Sequence, residues 1–155
     1  MIIRKAEKRD CPALLGLVKE LAVYEKSPGE VTVSLAEMEE AGFGPAPVWW
    51  AFVAETEDTH QIVGISLYYI RYSTWKGRRL YLEDIVVNEP FRGRGIGKLL
   101  FEATAREAAR LGMNGMTWQV LDWNQPAIGF YQRYGAVIES GWLNASLNKE
   151  QLATI

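Results

Sequence analysis

The 155-residue sequence contains one cysteine and one histidine, and both shortages remove whole classes of chemistry. Cys11 alone cannot form an internal disulfide, and a lone thiol suits a reducing compartment. Cys11 and His60 together cannot supply a Cys2His2-type zinc site, so no metal is expected. A single histidine in a polar turn also argues against a histidine-based triad. Long apolar runs are missing as well. No stretch reaches the ~18 apolar residues of a membrane span, and the opening MIIRKAEKRD has no apolar core of a secretory signal. A cytoplasmic location with no membrane partner is the expectation. Charge of one sign is not in excess either. The formal net charge is -2, so nothing in the total calls for a nucleic-acid partner.

What remains is a globular balance, 48% hydrophobic and 23% charged residues, in a length that fits one domain over residues 1–155 with a full core. Ile2 and Ile3 open a short strand ending near Ala6. Asp10 is the expected cap of a helix with Pro12 in its first turn and Leu14, Val18 and Leu21 at helical spacing. Cys11 lies in that first turn and is read as structural. Ser34-Leu35-Ala36-Glu37 has capping-box spacing, and Gly42 is the expected stop of a short second helix. Strands are expected over residues 49–55, 62–72 and 80–87. The polar turn between the first two carries His60, read as solvated. Strands in such close succession favour antiparallel pairing. A helix is expected over residues 96–111, closed by Gly112, then a strand over 116–121 and a helix from Asn124 to about Tyr134, closed by Gly135. Residues 136–147 read as one or two strands broken near Gly141. The order β-α-α-β-β-β-α-β-α-β describes an α/β domain with a mixed, largely antiparallel sheet flanked by helices.

Three segments carry chemistry. Arg92-Gly93-Arg94-Gly95-Ile96-Gly97 links a strand to a helix. Such a loop turns successive backbone N–H groups toward one spot, and the helix dipole adds positive potential there. Glycine keeps side chains out of the way of a phosphate. Arg92, Arg94 and Lys98 add charge. The same pattern also describes a tight turn with solvated arginines. It is not a Walker A loop, because Gly-Lys-Ser/Thr is missing, and it lies too late in the chain for a Rossmann fingerprint. The second segment, Leu80 to Val87, is an apolar strand interrupted by Glu83 and Asp84. Neighbouring strand residues face opposite ways, so these carboxylates share a face only if a bulge intervenes. Burying either one costs several kcal/mol unless it is paired or solvated; an arginine partner or an edge strand are the alternatives to a functional role. The third segment runs from Trp123 to Tyr131. Asn124 suits a helix cap or a ligand contact, and Phe130 and Tyr131 taken by periodicity alone read as core.

Together these segments resemble the GNAT N-acetyltransferase superfamily. The resemblance assigns Arg92, Gly93, Arg94, Gly95, Ile96 and Gly97 to an Arg/Gln-x-x-Gly-x-Gly/Ala loop for the pyrophosphate of coenzyme A, and Lys98, the next residue, joins the cofactor set by its charge. It assigns the backbone of Ile85, Val86 and Val87, after a bulge, to the pantetheine arm. Asn124, Ala127 and Tyr131 match an Asn-x-x-Ala-x-x-x-Tyr pattern, which adds Asn124 and Tyr131 to the cofactor set and makes Tyr131 the general acid. Acetyl-coenzyme A is the implied cosubstrate. The likeness is closer to the diamine acetyltransferases, through Lys19 to Glu25, Gly42-Phe43-Gly44, Tyr72 to Arg78, Tyr81 to Asp84 and Val120 to Gln125. The Tyr72-Ser73-Thr74-Trp75-Lys76-Gly77-Arg78 run resembles the thialysine-preferring branch; the polyamine branch has an acid where Ser73 stands. Gly141-Trp142 matches in outline.

An alkyl ammonium of pKa ~10.4 must lose a proton before it attacks a thioester, at roughly 4–5 kcal/mol at pH 7. By resemblance Glu83 is the base. Backbone N–H groups near Ile85 to Val87 are expected to polarise the carbonyl. Glu25 and Asp84 are expected to hold a second ammonium, with Tyr24, Trp75 and Trp142 as an aromatic wall. Resemblance also implies a homodimer whose C-terminal segments help to complete the neighbour's site. Three functions stay open at this point: acetylation of a small amine, acetylation of a protein amine, and acyl-CoA binding without catalysis.

Overall fold

Alternation of apolar residues shapes a computed structural model that describes residues 1–155. The chain divides into two compact units, Met1–Gln119 and Val120–Ile155. The first unit holds a five-stranded sheet in the order β1-β2-β3-β4-β5. Its strands are β1 (Ile2–Lys5), β2 (Trp50–Glu55), β3 (Ile62–Ser73), β4 (Gly77–Val87) and β5 (Met116–Thr117). The first four pair antiparallel, and β5 pairs parallel to β4. The α/β class with a mixed sheet is as expected.

Helices cover both faces. α1 (Cys11–Tyr24) and α2 (Leu35–Phe43) bring Cys11, Leu14, Leu17 and Met38 against Trp49, Val53, Ile65, Leu67 and Val86. α3 (Ile96–Arg110) lays Ile96 and Leu100 against Ala54 and Val63. A bulge sorts these residues. Ala54 opposes Gly64 and Glu55 opposes Ile62, so Val63 is left over and joins the α3 side while Ile65 and Leu67 join the α1 side. On the α3 side the Ser66 and Thr104 hydroxyls are joined at 2.8 Å, which satisfies two fully buried polar groups.

Local chemistry departs from the sequence reading at several points. Asp10 is the N-cap residue of α1 as expected, but its side chain makes no capping bond: its carboxylate binds Arg4 at 2.7 and 3.0 Å and accepts the Glu7 N–H at 2.8 Å. The arginine outcompetes the helix end because its fork offers two charged donors. Ser34 does cap α2, accepting from the Glu37 N–H at 3.1 Å. Gly42, however, does not stop that helix; Gly44 does, its N–H bonding the Glu40 carbonyl at 2.9 Å. Gly42 is there for space, since a Cβ at this position would clash with the Trp49 ring. The expected strand over residues 116–121 shrinks to Met116–Thr117, because β5 pairs β4 only at Leu80 and Tyr81, before β4 bends at a bulge.

The second unit contains α4 (Gln125–Gln132) and α5 (Lys149–Leu152). Asn124 caps α4, its Oδ1 accepting the Ala127 N–H at 3.3 Å, and Gly135 follows with φ 75°. The expected strands in residues 136–147 do not form. Gly141 adopts φ 109°, and Val137, Trp142 and Leu143 are 82%, 89% and 96% exposed. A strand needs a ladder partner and a face to bury, and within one chain this segment has neither.

Candidate functional site

The β3–β4 ladder skips one residue. Leu82 opposes Tyr68 and Asp84 opposes Leu67, so Glu83 is the extra residue of a bulge. A bulge sets two residues against one, which lifts the face restriction that alternation imposes on neighbours. Leu67 belongs to the α1-side core, so Glu83 and Asp84 both lie toward α1. Tyr69 and Tyr81 share that side, their rings stacked at 5.1 Å. The Tyr69 hydroxyl feels the charge of Glu83, and the Arg71 guanidinium lies 5.6 Å over the Tyr81 ring. Burial first, and the Glu83 carboxylate second, hold the Tyr69 hydroxyl above its ordinary pKa.

α1 delivers a third carboxylate. Glu25 caps its C-terminus, and burial raises its pKa. Asp84 is pushed up to about 6 by burial, then by the negative charges of Glu83 and Glu25. A buried Asp84 carboxylate that two neighbouring negative charges push up marks a site that a cation relieves. Tyr24, the last residue of α1, has the Arg92 guanidinium 5.4 Å from its ring centre. Trp75 does not join this group within the chain. It sits 85% exposed in the β3–β4 turn, and the ladder from Leu67 to Ser73 places that turn roughly 20 Å away.

β4 continues from the carboxylates toward the glycine loop. Ile85, Val86 and Val87 pair with β3 on one side, while pairing with β5 has ended at Tyr81. Alternate N–H groups of this stretch therefore point to the edge that β5 has left. A short 3-10 turn, Glu89–Phe91, then leads into Arg92. Gly93 and Gly95 have φ 75° and 79°, a left-handed conformation that L side chains rarely adopt. Gly95 is the N-cap of α3 and offers no side chain to its orphan N–H groups. A Cβ added at Gly93 or Gly95 would meet open space, and one at Gly97 would touch only Val87 at 3.8 Å. The cradle is open, positive at its helix end, and free of its own cap. Those properties fit a phosphate group. The arginines do not simply point outward. Arg92 donates to the Val87 carbonyl at 2.8 Å and to Glu20 at 3.1 Å. Arg94 donates to the Pro90 carbonyl at 3.1 Å. Lys98 lies 3.9 Å from Glu102.

In the second unit, Tyr131 is 6% exposed on α4, with Phe130 at 5.3 Å. Asn124 has its side-chain oxygen engaged as the α4 cap. Trp142 is in the exposed C-terminal segment.

Comparison with known proteins bears on this geometry. A match to the acetyltransferase (GNAT) family covers residues 5–136, which is most of the chain. The protein belongs to the GNAT family. As a GNAT acetyltransferase it is similar to the thialysine N-epsilon-acetyltransferase of Bos taurus, with 40% identity over 142 residues, 88% of this chain and 84% of the relative. It is also 35% identical over 158 residues to the human spermidine/spermine N(1)-acetyltransferase-like protein 1, covering 97% of this chain and 23% of that one. An aminoglycoside acetyltransferase from an uncultured soil metagenomic sample shares the fold, with a TM-score of 0.78 at 19% identity over 95% of this chain and 96% of the other. No helix of this GNAT protein is long and apolar enough to cross a membrane.

Sequence reasoning missed three members of the group on β3, β4 and α1. Tyr69 and Tyr81 become neighbours only once the hairpin register is known, and the bulge shifts that register. Glu20 had a signal, its place among the family-like residues Lys19 to Glu25, but its partners lie 68 to 72 positions away.

Proposed function

We propose that the protein is an acetyl-coenzyme A dependent N-acetyltransferase acting on a primary amine of a small molecule that carries a second polar or charged end. Thialysine-like amines are preferred over spermine. The catalytic domain spans residues 1–155 and works in the cytoplasm as a homodimer, in which the exposed Trp142 and Leu143 meet a second copy of the chain.

The observation that carries the reading is β4 itself: one strand bears the acidic bulge at Glu83 and runs directly into an uncapped, glycine-lined helix start. When bound, acetyl-coenzyme A supplies an activated acetyl group. Gly93 to Gly97 hold its pyrophosphate by backbone N–H groups, and Lys98 adds charge. Ile85 to Val87 offer N–H donors along the open edge of β4. Glu25 and Asp84 anchor the far ammonium of the substrate, and Tyr24, which precedes Glu25 in the chain, is the candidate aromatic contact. Glu83 accepts the proton of the reacting ammonium, directly or through water. Tyr131, matched through the Asn124-Ala127-Tyr131 spacing, would donate the proton that the departing coenzyme A thiolate takes up as the amine displaces it from the acetyl group. No enzyme nucleophile is needed, and the one thiol is unsuited to be one: Cys11 is fully buried and burial raises its pKa.

Isothermal titration with acetyl-coenzyme A tests the cofactor assignment. Gly95→Val should abolish binding while circular dichroism stays native. Unchanged affinity in that variant would remove the loop from the site.

A further inference from the structure

Glu20 stands on α1, and three donors from the segment after β4 converge on it. Asn88 Nδ2 donates to one carboxylate oxygen at 2.7 Å. The Glu89 backbone N–H and an Arg92 guanidinium nitrogen donate to the other at 2.8 and 3.1 Å. The Glu89 N–H opens the Glu89–Phe91 turn, which no side chain of its own segment caps. Glu20 therefore caps that turn from another element. Arg92, held by Glu20, also donates to the Val87 carbonyl at 2.8 Å and covers Tyr24, one helical turn beyond Glu20. An exposed ion pair alone contributes little. This one differs, because both carboxylate oxygens are used and one of the donors is a backbone group whose direction sets the path of the chain.

We infer that Glu20 is a positioning residue: it fixes the Asn88–Arg92 segment against α1 and so presets the glycine loop that receives acetyl-coenzyme A. The inference rests on the proposed cofactor reading of Gly93 to Gly97. Its sign is informative. A carboxylate beside a loop that takes a polyanion repels the ligand at range, so a Glu20 that acted only as a charge would weaken binding, and its neutralisation would tighten it. A Glu20 that acts by bracing the loop does the opposite.

The test compares wild type, Glu20→Gln, Arg92→Gln, the double variant and Gly95→Val by acetyl-coenzyme A titration, steady-state kinetics and amide hydrogen exchange. Glutamine keeps the length of the side chain but has a single acceptor oxygen, so at least one of the three bonds is lost and the rest lose the charge that strengthens them. Glu20→Gln should weaken acetyl-coenzyme A binding roughly tenfold and speed exchange at the Glu89 amide in the ligand-free protein. The KM for acetyl-coenzyme A should rise by more than kcat falls, with the KM for the amine little changed. Arg92→Gln added to Glu20→Gln should cost less than the two single changes multiplied, because they break one bracket. Unchanged or tighter binding in Glu20→Gln, or Glu89 exchange at the wild-type rate, overturns the inference. If Gly95→Val loses binding while Glu20→Gln does not, the cofactor loop stands and only the role of Glu20 falls. If Gly95→Val also binds normally, the cofactor reading itself has failed.

Discussion

Glu83 and Asp84 both stand against Leu67, two residues of β4 facing one of β3. The bulge that produces this arrangement puts like charges side by side, and Glu25 adds a third from the end of α1. Such a cluster is unfavourable for folding by itself. The proposed substrate, a short dication, would relieve it, and that exchange of stability for binding leads to the first prediction.

Asp84→Asn should stabilise the ligand-free protein at pH 7.5. The folded-state pKa of Asp84, about 6, lies above its ordinary 3.8, so ionisation opposes folding. Its favourable contribution is fully present below about pH 3.8 and is lost as pH rises through about 6. Removing the charge should return about 1–3 kcal/mol, seen in urea titration. The same variant should lose affinity for a diamine, and the wild-type affinity should rise between pH 5 and 7 as Asp84 ionises. A variant that is less stable than wild type at pH 7.5 would contradict this.

Gly95 and Gly97 should respond differently to alanine. Gly95→Ala forces an L side chain to φ 79° and should cost about 1–2 kcal/mol of stability. Gly97 lies in the first turn of α3 with only Val87 near its missing Cβ, at 3.8 Å. Gly97→Ala should keep or raise the melting temperature, since alanine favours helix by about 1 kcal/mol over glycine. It should also keep acetyl-coenzyme A binding. Equal thermal losses in the two variants would show that backbone conformation is not what the loop glycines provide.

Much of this was readable in the sequence, and the exceptions have physical causes. The loop glycines were legible because a left-handed N-cap leaves a residue-type signature. Glu83 and Asp84 were legible as a conflict with alternation, and the bulge resolved it. The stop of α2 was misread because Gly42 serves the packing of Trp49, a contact from a segment beyond the helix. Asp10 was read correctly as the N-cap position of α1, but its side chain does not cap because Arg4, six residues earlier, takes the same oxygens. Residues 136–147 have the composition of strands, but composition cannot supply a ladder partner. Glu20 finds its partners 68 to 72 positions along the chain, which no local pattern encodes.

Glu83→Gln should lower kcat by ~10²–10⁴-fold, the usual contribution of general acid–base catalysis, because an amide cannot accept the proton. The loss should shrink as the assay pH approaches the ~10.4 of the free amine, where the substrate arrives already neutral. A loss that stays constant across pH would make Glu83 a binding group instead of the base.

Tyr131→Phe removes one oxygen and keeps the ring of a 6%-exposed side chain, so folding should survive. Single-turnover kcat should fall by ~10²–10⁴-fold with acetyl-coenzyme A affinity little changed. An undiminished chemical step would take Tyr131 out of the mechanism.

The central claim, acetyl transfer to a short amine with a second charged end, is tested most directly by acetyl-coenzyme A turnover across one panel: thialysine, lysine, ornithine, putrescine, spermidine, spermine and an unrelated lysine-containing peptide. The acidic set of Glu25, Glu83 and Asp84, together with Ser73 in place of an acid, predicts the highest kcat/KM for thialysine-like amines and a lower value for spermine. The highest kcat/KM on the peptide or on spermine, or no turnover with any amine, would contradict it.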